Sequence, residues 1–196
     1  MRKTLFAATT ALILAACTSM PATHTDFLSP TPAGSVQPES GQLRYRAAVP
    51  IDPGQIEFAE VVWRAGDEAS LSPQERLQFQ ADLRADLKTR LTAIPATAGT
   101  GRPTVLRVAI TRVETVSPGL NAALTVLLIG PLDRGGAALE MELLDAQTRQ
   151  PLVTLTTAHY APLTELGARF DRLASVRWAM QQAAGEFAAL VQAQPG

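Results

Sequence analysis

The sequence predicts an α+β domain: a two-layer sandwich with about four strands, mainly antiparallel, and two amphipathic helices on one face of the sheet. Three observations predict it. Two long segments repeat apolar residues at helical spacing, four segments alternate apolar and polar residues, and helix and strand segments are intermixed along the chain. About 150 residues follow the N-terminal segments, enough to bury a core without staples.

The first strand is Gln55 to Arg64, where Ile56, Phe58 and Val62 keep a period of two and Glu60 breaks the row. Pro53-Gly54 marks a turn before it. Ser72-Pro73-Gln74-Glu75 starts a helix: Ser72 caps, Pro73 suits the first position and Glu75 closes a capping box. Phe79, Leu83, Leu87, Leu91 and Ile94 form its apolar stripe, with Asp82, Arg84, Asp86, Lys88 and Arg90 on the solvated side. Pro95 and Gly99 end it.

Thr104 to Val116 is the second strand, with Leu106, Val108 and Ile110 on one face and Arg107, Ala109 and Thr111 on the other. In the third, Leu139, Met141 and Leu143 alternate with Glu140, Glu142 and Leu144. Asp145 to Gln150 turns into the fourth, Leu152 to Tyr160, as a hairpin. Asp171 to Val191 is the second helix, its stripe made by Leu173, Val176, Met180, Ala184, Phe187 and Val191.

The first 41 residues are organised differently. Arg2 and Lys3 precede an apolar run from Leu5 to Leu14, which is too short to span a hydrocarbon core of ~30 Å and fits a signal segment. Leu14-Ala15-Ala16-Cys17 resembles the lipobox of bacterial lipoproteins, which implies cleavage before Cys17 and acylation of its thiol. Cys17 is the one cysteine in the chain, so an intrachain disulfide and a thiolate zinc site are excluded. Two or three acyl chains, at ~0.8 kcal/mol per buried CH₂, hold a protein on a membrane essentially permanently. Thr18 stands where an aspartate favours inner-membrane retention, so the outer membrane is the expected address, with the domain in the periplasm. Thr18 to Gly41, with Pro21, Pro30, Pro32 and Pro38, reads as a flexible tether. Phe27 and Leu28 interrupt it, either docked on the domain or exposed in a coil. The expected division is therefore a signal peptide 1–16, a lipidated tether 17–41 and one domain 42–193.

Several residues also point to a family. Phe27-Leu28-Ser29, Pro53-Gly54, the strand Val105 to Val113, the hairpin Leu143-Leu144-Asp145-Ala146-Gln147-Thr148 and Trp178-Ala179 resemble a Gram-negative lipoprotein family of unknown function, domain-of-unknown-function family three-three-one-three. Arg149 departs from it, standing where the family pattern usually has a turn glycine. The resemblance implies an outer-membrane lipoprotein and assigns no activity.

Composition narrows the chemistry. The chain is 46% hydrophobic and 18% charged with net charge −1, which becomes −3 once Met1 to Ala16 is removed. That gives no basic face for nucleic acid. His24 lies in the tether, and His159 ends a strand with no carboxylate at ligand spacing in sequence. Glu140 and Glu142 share a strand face and read as solvated. Gly135-Gly136 lacks the spacing of a phosphate loop and reads as a flexible turn. No catalytic residue, metal or cofactor is expected, and an enzyme is not the expected class.

The most unusual segment is Pro118 to Pro131, which is uncharged and contains Leu120, Leu124, Val126, Leu127, Leu128 and Ile129. It is either a buried loop or short helix closing the sheet, or an exposed apolar flap that meets a partner, an acyl chain or the bilayer. The expected role is a non-enzymatic module that binds an envelope protein. The alternative is an accessory of an envelope transport system that carries an apolar ligand in a cavity between sheet and helices.

Overall fold

A computed structural model describes residues 25–31, 42–67, 70–95, 101–126, 134–162, 164–165 and 170–193. The elements in chain order are β1 (Arg44–Arg46), β2 (Ile51–Trp63), α1 (Pro73–Thr92), β3 (Arg102–Glu114), α2 (Pro118–Val126), β4 (Gly136–Asp145), β5 (Pro151–Tyr160) and α3 (Ala174–Gln192). One sheet of five strands has the order β1-β5-β4-β3-β2. The α+β class and the two long helices agree with expectation, whereas the sheet has a fifth strand and is mixed.

The mixed character has a simple origin. β2 and β3 pair in parallel because α1 lies between them and carries the chain back along the sheet. The remaining pairs, β3 with β4, β4 with β5 and β1 with β5, are antiparallel. The added strand β1, Arg-Tyr-Arg, is too short for an alternation signal. Its identity as a strand comes from the ladder to Val153–Leu155.

Pro53-Gly54 lies inside β2 rather than before it. Proline's missing donor is tolerated because β2 is an edge strand and its register slips between Ile51 and Ile56. The backbone there is held by the Asp52 carboxylate, which accepts from the Gly54 amide at 2.9 Å. On the same strand, Arg84 and Gln80 of α1 donate to the carbonyls of Phe58 and Val61. Side-chain caps of this kind blunt an open edge.

The capping box at α1 is present in full: the Ser72 hydroxyl accepts from the Glu75 amide, and the Glu75 carboxylate accepts from the Ser72 amide. Its stripe residues Phe79, Leu83, Leu87 and Leu91 are buried. The last helix starts at Ala174, three residues later than expected, with Asp171 accepting from the Leu173 amide just outside it. α1 and α3 run parallel, since Arg172 pairs with Glu75 at one end and Arg90 lies beside Gly185 at the other.

Both helices cover one face. Leu106, Val108, Ile110, Leu139, Met141, Leu143, Val153 and Leu155 meet the stripes of α1 and α3 in a single core. The opposite face, expected to face water, is buried as well: Ala109, Ala138, Glu140, Glu142, Thr154 and Thr156 are at 0% exposure.

Gly135-Gly136 is a close-packed passage, not a loose turn. A Cβ at Gly135 would lie 2.1 Å from Ser175 Oγ, and one at Gly136 would lie 2.1 Å from the His159 carbonyl oxygen. The turn after β4 keeps its left-handed residue despite the missing glycine, with Arg149 at φ 61°.

Candidate functional site

Part of the second face of the sheet is covered by the chain's own N-terminal segment. Thr25 to Ser29 lies along β4 as a strap. The Glu140 carboxylate accepts from the Thr25 amide at 2.7 Å and from the Thr25 hydroxyl at 2.5 Å. Two residues along the same strand face, the Glu142 carboxylate accepts from the Ser29 amide at 2.8 Å and from the Ser29 hydroxyl at 3.3 Å. The spacing of a β-strand sets these two carboxylates about 7 Å apart, which matches a short strap bound at both ends.

Arg107 completes the clamp. It stands on β3 directly opposite Glu142 of β4 in register and pairs with it at 2.5 Å. Its second terminal nitrogen donates to the Phe27 carbonyl at 3.2 Å, and its guanidinium lies over the Phe27 ring at 4.6 Å. Phe27 is 5% exposed. Of the two readings for Phe27 and Leu28, docking is therefore the one observed, and this part of the tether is not free. The expectation that Glu140 and Glu142 are solvated is corrected. Each is fully buried, and that burial is tolerated because the strap and Arg107 supply their carboxyl oxygens with hydrogen-bond donors. Asp26 adds an ion pair to Arg64 at 3.2 Å, exposed and of small worth. Thr154 and Thr156, paired with Glu142 and Glu140 on β5, carry buried hydroxyls without a hydrogen-bond partner in the structure.

A second polar cluster joins β5 to α3. The Thr157 hydroxyl donates to Glu186 at 2.8 Å, which leaves it an acceptor toward His159 Nε2 at 3.2 Å. Glu186 lies 3.4 Å from the same nitrogen, and Trp178 meets the imidazole edge-on at 6.3 Å. The bond to His159 holds the Glu186 carboxyl below its ordinary range. His159 thus has a carboxylate partner, contributed by a helix 27 positions further along, which spacing within β5 had no means of showing. Glu186 of α3 thereby holds Thr157 and His159 of β5, which fastens the helix to the strand.

At the β4–β5 turn, Asp145 accepts from the amides of Gln147 and Thr148 at 2.9 Å and pairs with Arg102 at 3.1 Å. The Thr148 amide, foremost, pulls its pKa down to about 2. Between α1 and α3 a surface groove of about 140 Å³ is lined by Phe79, Asp82, Leu83, Asp86, Arg177, Met180 and Gln181. Among the described residues, no group of three or more His, Cys, Asp or Glu is placed to hold a metal ion. None of the described helices is long and apolar enough to cross a membrane.

Cys17, His24 and the flap residues Leu127, Leu128 and Ile129 lie outside the described residues. The start of the flap is a helix, α2, which carries Leu124 and Val126 and exposes 52% of Leu120 while burying Asn121 completely. Pro118–Val126 is thus helical, with the apolar side chain of Leu120 left in the open.

The model of the protein family of unknown function DUF3313 matches residues 37–187. The chain belongs to that family. The resemblance seen in the sequence is so confirmed, and the strap and its buried carboxylate clamp are features of a DUF3313 chain. No curated protein matches. Among solved structures, a point variant of the PelC dodecamer from Paraburkholderia phytofirmans is 10% identical, with TM-score 0.48, covering 78% of this chain and 98% of that one. A second PelC dodecamer from the same organism is 12% identical with TM-score 0.43, at the same coverage of 78% and 98%. A Caulobacter crescentus chain provisionally described as a lipoprotein is 14% identical with TM-score 0.33, covering 72% of this chain and 87% of that one.

Proposed function

We propose that this DUF3313 chain is an envelope lipoprotein, acylated on Cys17, anchored in the outer membrane and presenting a non-enzymatic protein-binding domain to the periplasm. The lipobox Leu14-Ala15-Ala16-Cys17 carries the anchoring part of the reading. The strap supports it, because the chain just eight positions beyond Cys17 is an integral part of the domain rather than a disposable leader. The buried polar groups support a binding role over a catalytic one. Glu140, Glu142 and Arg107 are engaged by the strap, and His159 and Glu186 by each other and Thr157. A partner in the envelope is the expected occupant of the remaining surface.

The second reading, an apolar-ligand carrier in an envelope transport system, requires a cavity between sheet and helices. Phe187, Leu83, Leu87, Met141 and Leu143, each below 3% exposure, occupy that space. The structure favours the protein-binding module for that reason.

Fractionation tests the anchor. Cys17→Ala is expected to release the protein from membranes or to block its processing. Membrane retention of a normally cleaved Cys17→Ala chain contradicts lipid anchoring. Crosslinking in intact cells, followed by identification of what is joined, tests the partner.

A further inference from the structure

The sheet has two unlike ends. At one end β2, β3 and β5 finish, and β4 begins: Trp63 is beside Ile110, Glu114 beside Gly136 and Gly136 beside Tyr160. Both long helices also begin there, tied by Arg172 to Glu75 and by the packing of Ser175 on Gly135. α2 follows β3 at this same end. Among the described residues the exposed large hydrophobic side chains are Val62 at 37%, Leu77 at 66%, Leu120 at 52% and Phe170 at 45%. Val62 is the penultimate residue of β2, Leu77 is in the second turn of α1, Leu120 is on α2 and Phe170 immediately precedes α3. All four therefore sit at one end. The opposite end, with the β4–β5 turn and the helix C-termini, presents none of them.

The strap is polarised toward the same end. Thr25 is bound at Glu140 and Ser29 at Glu142, so the strap has its Thr25 end nearer Gly136 and its Ser29 end farther from it. Asp26 reaches Arg64, just past the finish of β2. From Cys17 to Thr25 is a leash of eight residues, at most ~29 Å when fully extended. Glu140 is only four residues of strand, ~13 Å, from Gly136. An anchored chain thus brings this end within easy reach of the bilayer, although leash length alone permits other tilts. The exposed apolar side chains select among them. In sequence, no charged residue occurs between Glu114 and Asp133, the stretch that holds α2, and Ala123 is exposed beside Leu120 on that helix. A short, uncharged, largely apolar element at the anchored end, with Leu120 exposed, fits the boundary between headgroups and acyl chains.

We infer that the domain rests on the membrane that anchors it, with the end carrying Leu120, Leu77, Phe170 and Val62 turned into the bilayer interface and the Asp145–Gln150 turn facing away. This rests on the anchored-lipoprotein reading. The strap sets the leash, and the apolar end supplies the contact.

The test uses the full acylated chain in vesicles of phosphatidylethanolamine and phosphatidylglycerol containing lipid spin-labelled near the headgroup. A polarity-sensitive fluorophore is attached through Leu120→Cys, Leu77→Cys or, at the far end, Gln147→Cys. These positions are exposed, so the fold tolerates the label. Quenching severalfold stronger at 120 and 77 than at 147 is the expected result. Equal quenching at all three positions, with the protein co-sedimenting with vesicles, overturns the orientation and leaves the anchor standing. A dry fluorophore at 120 that lipid does not quench also overturns it, because a protein surface, such as a second copy, then covers this end. Failure of the acylated chain to sediment with vesicles overturns both readings.

Discussion

Truncating Phe27 to alanine isolates the contribution of the strap. The ring is 5% exposed and lies under the Arg107 guanidinium. Burial of a phenylalanine side chain stabilises by ~1.5–3 kcal/mol. The cation–π contact adds ~0.5–1 kcal/mol at a partly exposed guanidinium. A loss of about 3 kcal/mol follows, equivalent to a roughly hundredfold larger population of the undocked strap. The domain need not unfold with it. When the strap lifts, water reaches Glu140 and Glu142, so neither carboxylate is stranded, and the helix-covered core is untouched. The loss in global stability is therefore capped at the free energy of strap opening. Hydrogen exchange reads both quantities. The Thr25 and Ser29 amides should lose protection by about two orders of magnitude, while Met141 and Val108 in the centre of the sheet change much less. Unaltered protection at Thr25 and Ser29, or equal losses in strap and central strands, would refute the claim that the strap is a separately opening unit.

Three further outcomes follow from local geometry. Arg149 is left-handed at φ 61°, so Arg149→Gly should stabilise by ~0.5–1 kcal/mol, checked by urea unfolding. Gly136→Ala forces a Cβ to 2.1 Å from a backbone oxygen and should destabilise by at least ~3 kcal/mol, seen as a large fall in thermal midpoint. Asp145 titrates at about 2 in the fold against an ordinary 3.8. A depressed carboxyl pKa contributes stability that is complete above the ordinary value and lost as pH falls through the folded one. The stability difference between the wild type and Asp145→Asn should accordingly shrink as pH drops from about 4 toward 2, read from denaturant midpoints across that interval. A constant difference would mean that the carboxylate charge is not what holds the turn.

Comparison of particular elements shows where sequence reasoning holds. The stripe Phe79-Leu83-Leu87-Leu91 and the capping box at Ser72 are local patterns, and both appear as expected. The strand faces of β3 and β4 also follow from a period of two, and Leu106, Val108, Ile110, Leu139, Met141 and Leu143 all enter the core. Alternation identifies a face but not what covers it. Glu140 and Glu142 are polar residues on the face away from the helices, and water is the simplest cover for such a face. A strap 113 to 115 positions distant covers them instead. The signal available in the sequence was the unexplained Phe27-Leu28 inside a Pro-rich tether. An apolar pair there is tolerable if it docks, and Arg107 on the polar face offered it a partner. Likewise the Glu186 partner of His159 comes from a separate helix, and residue spacing along β5 carries no information about it.

The sequence by itself determined the family and the amphipathic faces, and it supplied the lipobox-like motif on which the anchoring proposal rests. All of these are encoded in neighbouring residues or in short periodicities, which need only covalent order and local hydrogen bonding. Tertiary structure alone decided the parallel pairing of β2 with β3, the burial of both faces of the sheet and the gathering of exposed apolar residues at the end toward which the strap leads. Those properties depend on which distant segments meet, and a side chain's hydrophobicity specifies that it needs cover without specifying which part of the chain provides it.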